Sequence, residues 1–164
     1  MCEHPSVSDE GFEVRPADEG DRIAIADLLA TVAEERDGIA TEPPIDVEAV
    51  AARWNVDGTL VAVANGAIVG ELTVSPIRFG VGEVGMMVAA DWRRRRVGTA
   101  LIAAAIAWAR ARGLHKLSLA VFPHNEAALA LYRTFGFVEE GYRREHISRT
   151  SGERWDLIEM GLLL

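Results

Sequence analysis

Cysteine is almost absent from this chain of 164 residues, which contains Cys2 alone. A single cysteine excludes an internal disulfide and favours a reducing compartment, so we expect a cytoplasmic protein. Long hydrophobic runs are also missing. The longest apolar stretches are interrupted within about ten residues, too short for a helix that crosses a bilayer, so we expect no membrane partner.

Two common functional motifs are missing as well. No G-K-S or G-K-T sequence of a nucleotide-phosphate loop occurs. His115, His124 and His146 have no metal-ligand spacing, and cysteine ligands are lacking, so we expect no metal site. The sequence G-V-G-E-V-G at residues 80–85 matches the dinucleotide fingerprint by letter, but it leads into a predicted strand instead of following one.

Charge is distributed unevenly along the chain. The net charge is −8, which disfavours attraction to nucleic acid, so we expect no nucleic-acid partner. Residues 1–91 hold 18 Asp+Glu and 5 Lys+Arg, a balance of −13, whereas residues 92–164 hold 7 and 12, a balance of +5. An anionic ligand is therefore expected to bind the second half.

Apolar residues make up 49% of the chain, enough for one hydrophobic core. No repeat, low-complexity tract or linker divides the sequence. We therefore predict a polar, disordered amino terminus at residues 1–10 and a single domain at residues 11–164.

Hydrophobic periodicity predicts the order of the elements. Strands are expected at residues 12–15, 60–64, 67–74, 83–88, 116–122, 137–147 and 154–163. Helices are expected at 19–37 (capped by Gly38), 46–54, 98–112 (ended by Gly113) and 125–135 (ended by Gly136). The Asn65-Gly66 turn and the other hairpins argue against a doubly wound fold. Strand 116–122 is apolar on both faces, as expected of a central strand covered by helices. The order predicts an α/β fold of the α+β type, a mixed, mostly antiparallel sheet with helices on both faces.

An anion-binding turn is predicted between strand 83–88 and helix 98–112. It contains four consecutive arginines, Arg93 to Arg96, and ends at a helix amino terminus, where free N–H groups and the helix dipole favour negative charge. Gly98 has no Cβ, so a ligand can approach the backbone closely there. A phosphate suits such a turn best. A bare arginine run could alternatively be a solvated face or a nucleic-acid patch.

Two segments resemble the GNAT superfamily of acyl-CoA-dependent N-acetyltransferases. Residues 93–98, R-R-R-R-V-G, resemble its Q/R-x-x-G-x-G/A signature, with Arg96 in place of the first glycine. Residues 125–137 resemble its N-x-x-A-x-x-L-Y-x-x-x-G-F segment. The resemblance implies acetyl-CoA as co-substrate, bound by Met87, Val88, Arg93, Arg94, Arg95, Arg96, Val97, Gly98, Thr99, Asn125 and Tyr132.

The resemblance also implies an acyltransferase that moves an acetyl group to a primary amine of a small molecule or a peptide amino terminus. Within it, the backbone N–H of Val88 donates to the oxyanion, and the Tyr132 hydroxyl protonates the leaving thiolate. Glu83 is the predicted base, acting through water, and Glu71 is its competitor. Tyr132 could instead only pack in the core, and Asn125 could only cap its helix.

Three questions stay open at this point. A catalytically weak acyl-CoA-binding or sensing protein of the same fold is the alternative to an enzyme, because Arg96 replaces a motif glycine. The family resemblance makes a homodimer possible. An acidic stretch around Pro43-Pro44 predicts either attraction of a cationic amine or a merely solvated acidic face; its members are Glu34, Glu35, Asp37, Glu42, Asp46 and Glu48.

Overall fold

The computed structural model describes residues 11–76 and 78–164, so the predicted disordered segment 1–10, with Cys2, lies outside the described residues. The described strands are β1 Glu13–Pro16, β2 Thr59–Ala64, β3 Ala67–Pro76, β4 Val81–Val88, β5 Lys116–Val121, β6 Val138–Ser148 and β7 Arg154–Leu163. The described helices are α1 Arg22–Ala33, α2 Val47–Arg53, α3 Val97–Ala111 and α4 Glu126–Thr134. Each predicted strand and helix is therefore present, with ends shifted by a few residues.

The strands form one sheet in the order β1-β2-β3-β4-β5-β7-β6. Neighbouring strands are antiparallel except β4 and β5, which run parallel. These two strands pair only where Val81–Glu83 faces Lys116–Ser118. Farther along, β4 stays paired with β3 as far as Val88, and β5 stays paired with β7 as far as Val121. The predicted mixed, mostly antiparallel sheet is confirmed, and it opens into a cleft between β4 and β5.

Helices cover both faces of the sheet, as predicted. Side chains of β3 alternate, so that Leu72 and Val74 join the core beneath α3 and α4, whereas Glu71 and Thr73 face the side of α1 and α2. The core on the α1 side is smaller and contains Ile25, Leu28, Val32, Val61 and Met87. Strand β4 therefore has one face in each core.

Strand β5 differs from its prediction. Leu117, Leu119 and Val121 are buried, but Ala120 on the opposite face is exposed. Helix α1 packs over the β2–β4 part of the sheet with α2 beside it, and Ala120 of β5 stays exposed. The expectation of helices above and below β5 was wrong because an apolar run does not indicate how far a helical layer extends.

The helix caps follow the sequence at most ends. Asp46 caps α2 by accepting from the Ala49 N–H at 2.9 Å, and glycines with positive φ end α3 and α4, at Gly113 and Gly136. The prediction for α1 was wrong, because α1 ends at Ala33 and the residue with positive φ beyond it is Arg36, not Gly38.

Close packing of α3 on the sheet depends on Gly70 in β3. A Cβ at this position would lie 2.7 Å from Cγ1 of Val97 and 3.1 Å from Cδ1 of Leu101, both of which are buried.

We expect Gly70→Ala to lower the free energy of unfolding by about 1–3 kcal/mol, measured by urea denaturation. Gly85→Ala is the control, because its Cβ would meet no atom within 4 Å. Equal losses in both variants would contradict this account.

Candidate active site

The cleft between β4 and β5 exposes backbone groups at the end of β4. The Ala89 N–H donates to the Val69 carbonyl of β3 at 2.9 Å. Successive amides of a strand point to opposite edges, so the Val88 N–H points away from β3 and toward the cleft. The Val88 carbonyl lies on the same edge and accepts from Nε of Arg93 at 3.1 Å. The predicted oxyanion donor therefore faces open space beside β5.

The turn from β4 to α3 has a backbone shaped for an anion. Arg94 and Arg96 both have positive φ, 58° and 65°. Arg96 is the residue before α3, so it adopts the left-handed conformation that a glycine would adopt there. The first turn of α3 contains no acidic residue, and its leading N–H groups have no intrahelical partner. Alternating left- and right-handed residues turn such N–H groups toward one point, where an anion can bind.

Arg93 and Arg95 of this turn have contacts within the protein. Nη1 and Nη2 of Arg93 donate to the two carboxylate oxygens of Glu35, at 2.7 and 2.9 Å. The guanidinium of Arg95 lies 4.0 Å from the ring centre of Trp92. In this arrangement the side chains of Arg93 and Arg95 hold the turn in place, and the backbone of the turn is left as the anion-facing surface.

Gly98 allows close packing of α3 against α4 and β4, which the sequence did not predict. A Cβ there would lie 2.9 Å from Cδ2 of Leu131 in α4 and 3.5 Å from Cε of Met86 in β4. The glycine therefore lets the first turn of α3 approach α4 and β4. The sequence had suggested only close approach of a ligand.

Asn125 caps α4, and Tyr132 lies within that helix. The Oδ1 atom of Asn125 accepts from the Ala128 N–H at 3.2 Å, so Asn125 caps the helix and its amide nitrogen is left to donate. Tyr132 is 7% exposed, and its ring centre lies 5.7 Å from that of Phe137. Burial raises the pKa of Tyr132 to about 12, so the hydroxyl keeps its proton at neutral pH.

Besides the cleft, a cavity of about 410 Å³ lies on the α1 side of the sheet. Its walls come from the end of α1, the loop 34–46, the end of α2, and strands β3 and β4. Most of the surface is apolar, and carboxyl and hydroxyl groups of β3 lie on one side. The lining residues are Leu29, Ile39, Thr41, Arg53, Trp54, Asn55, Glu71, Thr73, Ser75, Gly85, Met86 and Met87. Met87 is the residue before Val88, so the cavity and the cleft meet at the end of β4.

Glu71 is the buried acid of this cavity. It is 4% exposed, and burial raises the pKa of its carboxyl to about 8, although a hydrogen bond from the Thr73 hydroxyl opposes the shift. The Thr73 hydroxyl is also 2.8 Å from that of Thr59, which donates to the Asn55 carbonyl at 2.8 Å. Three contacts require three protons, and the two hydroxyls supply two. With Thr73 donating to Glu71 and Thr59 donating to Asn55, the contact between the two hydroxyls has no proton, and a protonated Glu71 that donates to Thr73 would supply the third one.

Glu83 is placed differently. It lies on the same face of the sheet as Glu71, opposite Ser75 of β3 and Ser118 of β5, but it is exposed and lies outside the cavity lining. The sequence had favoured Glu83 over Glu71 because the position of Glu83 matched a family pattern. Nothing local in the sequence indicates that Glu71 is the buried carboxylate.

Glu35, Asp37 and Glu42, in the acidic stretch after α1, have partners in the second half of the chain. Glu35 binds Arg93, Oδ1 of Asp37 lies 3.0 Å from Nε2 of His124, and Glu42 accepts from the Thr150 N–H at 2.8 Å. These acids attach the loop 34–46 to the second half of the chain. Attraction of a cationic amine by this stretch stays a prediction, as does its alternative, a solvated acidic face.

Neither a metal centre nor a membrane span is found in the part of the chain that the structure describes. Across residues 11–76 and 78–164, no three His, Cys, Asp or Glu side chains form a group that could hold a metal ion. The helices in these ranges are all too short or too polar to cross a membrane.

Comparison with known proteins gives one consistent family. Residues 18–137 match the model of the acetyltransferase (GNAT) family. An L-amino acid N-acetyltransferase of Escherichia coli K12 is 33% identical over 109 residues, which is 62% of this chain and 65% of that protein. The match therefore spans slightly less than two thirds of that relative.

Solved structures with the same fold cover nearly the whole chain. A ribosomal-protein-alanine N-acetyltransferase from Brucella melitensis superposes with a TM-score of 0.83 and 31% identity, over 92% of this chain and 99% of the other. A phosphinothricin acetyltransferase from Sinorhizobium meliloti, in complex with acetyl-CoA, superposes with a TM-score of 0.79, over 94% of this chain and 89% of the other. Its identity is 21%, so this second likeness concerns the fold alone.

The left-handed backbone at Arg96 predicts the effect of restoring glycine. This conformation costs roughly 1–2 kcal/mol for a residue with a Cβ, and glycine avoids that cost. Glycine also makes the unfolded chain more flexible, which offsets about 0.5–1 kcal/mol of the gain. We expect Arg96→Gly to be as stable as the unaltered protein or up to about 1 kcal/mol more stable in urea denaturation. Arg96→Ala is the control, since it also removes the side chain but keeps the Cβ. An alanine variant more stable than the glycine variant would contradict the assignment of strain.

Proposed function

The chain belongs to the GNAT family of acetyltransferases, and we propose that it transfers an acetyl group from acetyl-CoA to a primary amine held in the cavity beside Glu71. The observation that carries this proposal is the meeting of cleft and cavity at the end of β4. The Val88 N–H faces the cleft, and the neighbouring Met87 lines the cavity. A donor group and an acceptor group that enter from opposite faces of the sheet would meet there.

The residues around the cleft suit acetyl-CoA, which supplies the activated acetyl thioester when bound. The N–H groups of Val97, Gly98 and Thr99, at the start of α3, would hold its pyrophosphate. The backbone edge of β4 at Val88 would pair with the pantetheine amides, and the free amide nitrogen of Asn125 would donate to the same arm. The left-handed Arg96 keeps the turn in the conformation of a glycine, so the substitution gives no support to a binding-only protein.

Two groups of this chain would act on the thioester. As the amine nitrogen forms its bond to the carbonyl carbon, the Val88 N–H donates to the oxygen that becomes negative. As the carbon–sulfur bond then breaks, the Tyr132 hydroxyl gives its proton to the sulfur, and the second proton that the amine nitrogen loses restores the hydroxyl, directly or through water. A tyrosine whose pKa is about 12 keeps this proton at every pH at which the enzyme would work.

Glu71 is the favoured base for the acceptor ammonium. Its carboxyl lies in the cavity, and a pKa of about 8 is a closer match to an amine than the pKa of an ordinary glutamate. The ionised carboxylate accepts a hydrogen bond from the Thr73 hydroxyl. Glu83, acting through water from its exposed position, is the competing base.

The acceptor is best described as the primary amine of an amino acid or of a peptide amino terminus. The related E. coli enzyme is named for L-amino acids, and the Brucella enzyme for ribosomal-protein alanine. The cavity would suit either one. Its apolar walls accommodate a small side chain, and Arg53 at the end of α2 is a cationic group in the lining.

An amine screen tests the proposed function directly. Purified protein is incubated with acetyl-CoA and each of the standard L-amino acids, and separately with short peptides that begin with alanine, while release of free thiol is followed. We expect release that depends on the amine. Binding of acetyl-CoA without release for any amine would favour the sensing protein instead.

The carboxyl of Glu71 predicts a pH dependence of catalysis. We expect kcat/KM for the amine to rise with pH and to level off above about 8, as Glu71 ionises. Glu71→Gln should lower kcat about a hundredfold or more and abolish this rise. Glu83→Gln is the matched control, and we expect it to keep both the rate and the profile. The reverse result would assign the base to Glu83.

The same carboxyl predicts how stability changes with pH. A carboxyl whose pKa is raised by folding binds its proton more tightly in the native state, so its contribution is greatest below the unfolded pKa of 4.5 and declines toward pH 8. Glu71→Gln removes this decline. We therefore expect the variant to be more stable than the unaltered protein at pH 9 in thermal denaturation, although it is less active. A variant that is less stable than the unaltered protein at pH 9 would show that native interactions offset the cost of burying the ionised carboxylate.

Tyr132→Phe tests the acid separately. The ring remains packed on Phe137 and only the hydroxyl is lost, so the fold and acetyl-CoA affinity should be nearly unchanged. We expect kcat to fall roughly a hundredfold, because the thiolate must then leave without its proton. Calorimetry with acetyl-CoA and steady-state kinetics measure the two quantities. An unchanged kcat would leave Tyr132 with a packing role only.

A further inference from the structure

One buried arginine outside the sequence motifs holds the loop 34–46. Arg149 follows β6 in the turn to β7, and its side chain is 2% exposed. Its Nη1 donates to the carbonyls of Ile39 at 3.2 Å and Ala40 at 3.0 Å, and its Nη2 donates to that of Arg36 at 3.1 Å. A single guanidinium therefore binds three backbone carbonyls of a segment more than a hundred residues earlier in the chain.

The guanidinium is itself held in place from other sides. It lies 4.1 Å from the ring centre of Trp155 in β7, and its Nη2 is 3.6 Å from Oε1 of Glu42. Trp155 in turn packs edge-on against Phe122, at 5.0 Å, and against His124, at 4.8 Å. The arginine thus has a fixed position on the sheet from which it binds the loop.

A neighbouring residue strengthens the attachment. The N–H and the hydroxyl of Thr150 donate to the two carboxylate oxygens of Glu42, at 2.8 and 2.9 Å. The β6–β7 turn therefore binds the loop at its carbonyls and at its acid. Lysine could not replace the arginine here, because a planar guanidinium presents several N–H donors in fixed directions and an ammonium does not.

The attached segment forms part of the cavity wall. Ile39, whose carbonyl binds Arg149, lines the cavity, and so does Thr41, which lies between the attached residues Ala40 and Glu42. Given the function proposed above, on which this inference rests, we propose that Arg149 is a positioning residue for the acceptor amine. It acts by holding the 36–42 segment in the conformation that completes the acceptor cavity. Acetyl-CoA would bind in the cleft between β4 and β5 and at the turn before α3, through groups that do not belong to residues 36–42.

Arg149→Lys is the variant that tests the proposal, since it keeps the charge and most of the stem but removes the planar donor group. Hydrogen exchange read by mass spectrometry follows the amides of residues 36–42. Kinetics with the amine that reacts fastest in the screen gives KM and kcat, and calorimetry gives the Kd of acetyl-CoA. We expect faster exchange in the loop and a KM for the amine about tenfold higher, because the binding-competent loop is less populated. The Kd of acetyl-CoA should change by less than about twofold.

Arg154→Gln is the matched control, because Arg154 lies in the same hairpin but is exposed. It should change none of the three measurements. Should Arg149→Lys fail to fold, Glu42→Gln weakens the same attachment from the loop side and should raise KM in the same direction. Faster exchange with an unchanged KM would overturn the proposal, and so would unchanged exchange. An unaltered protein that acetylates no amine would instead overturn the proposed function itself, which is a separate result.

Discussion

The short parallel contact between β4 and β5 is the constraint on which the site depends. The strands pair only at Val81–Glu83 and Lys116–Ser118, and each then follows its other neighbour in the sheet. An open edge of β4 results, and its backbone groups face space that β5 does not fill. The cleft is stable because both strands keep antiparallel partners, so the backbone groups on their outer edges remain hydrogen-bonded. The turn that leads to α3 begins where this open edge ends.

The acidic first half and the basic second half of the chain contact each other at the loop 34–46. The first half carries the acidic loop after α1, and the second half carries Arg93, His124 and Arg149. Contacts from three separate elements therefore meet on one loop, at Glu35, at Asp37, and at Glu42 with its neighbouring carbonyls. Exposed ion pairs contribute little stability one at a time. Their value here is that they determine the conformation of a loop that lines the cavity.

The polar chain from Glu71 to the Asn55 carbonyl illustrates how a functional position differs from the surrounding core. An apolar residue in place of Glu71 would remove the free-energy cost of desolvating a carboxyl, and it would also remove the proposed base. The Thr73 hydroxyl hydrogen-bonds to the carboxyl, and the Thr59 hydroxyl contacts that of Thr73, so the carboxyl has a polar partner and can still gain or lose a proton. A buried carboxyl in a cavity, with a raised pKa and a short hydroxyl chain, is an arrangement that favours reversible proton transfer.

Local features of this protein were determined by the sequence itself. The Asn65-Gly66 hairpin, the Asn125 cap, the glycines that end α3 and α4 and the arginine turn before α3 all depend on neighbours within a few residues, and their patterns predicted them. The shape of the cleft and of the cavity, and the contacts within them, do not follow from such local patterns. The divergence of β4 from β5, the burial of Glu71 beside Thr73, the space occupied at Gly98 and the attachment of the loop by Arg149 were decided only by the tertiary structure. Each of these depends on groups that are distant in the chain and become neighbours only when the sheet and its helices assemble, because desolvation and hydrogen bonding act on distance in space and not on separation in sequence.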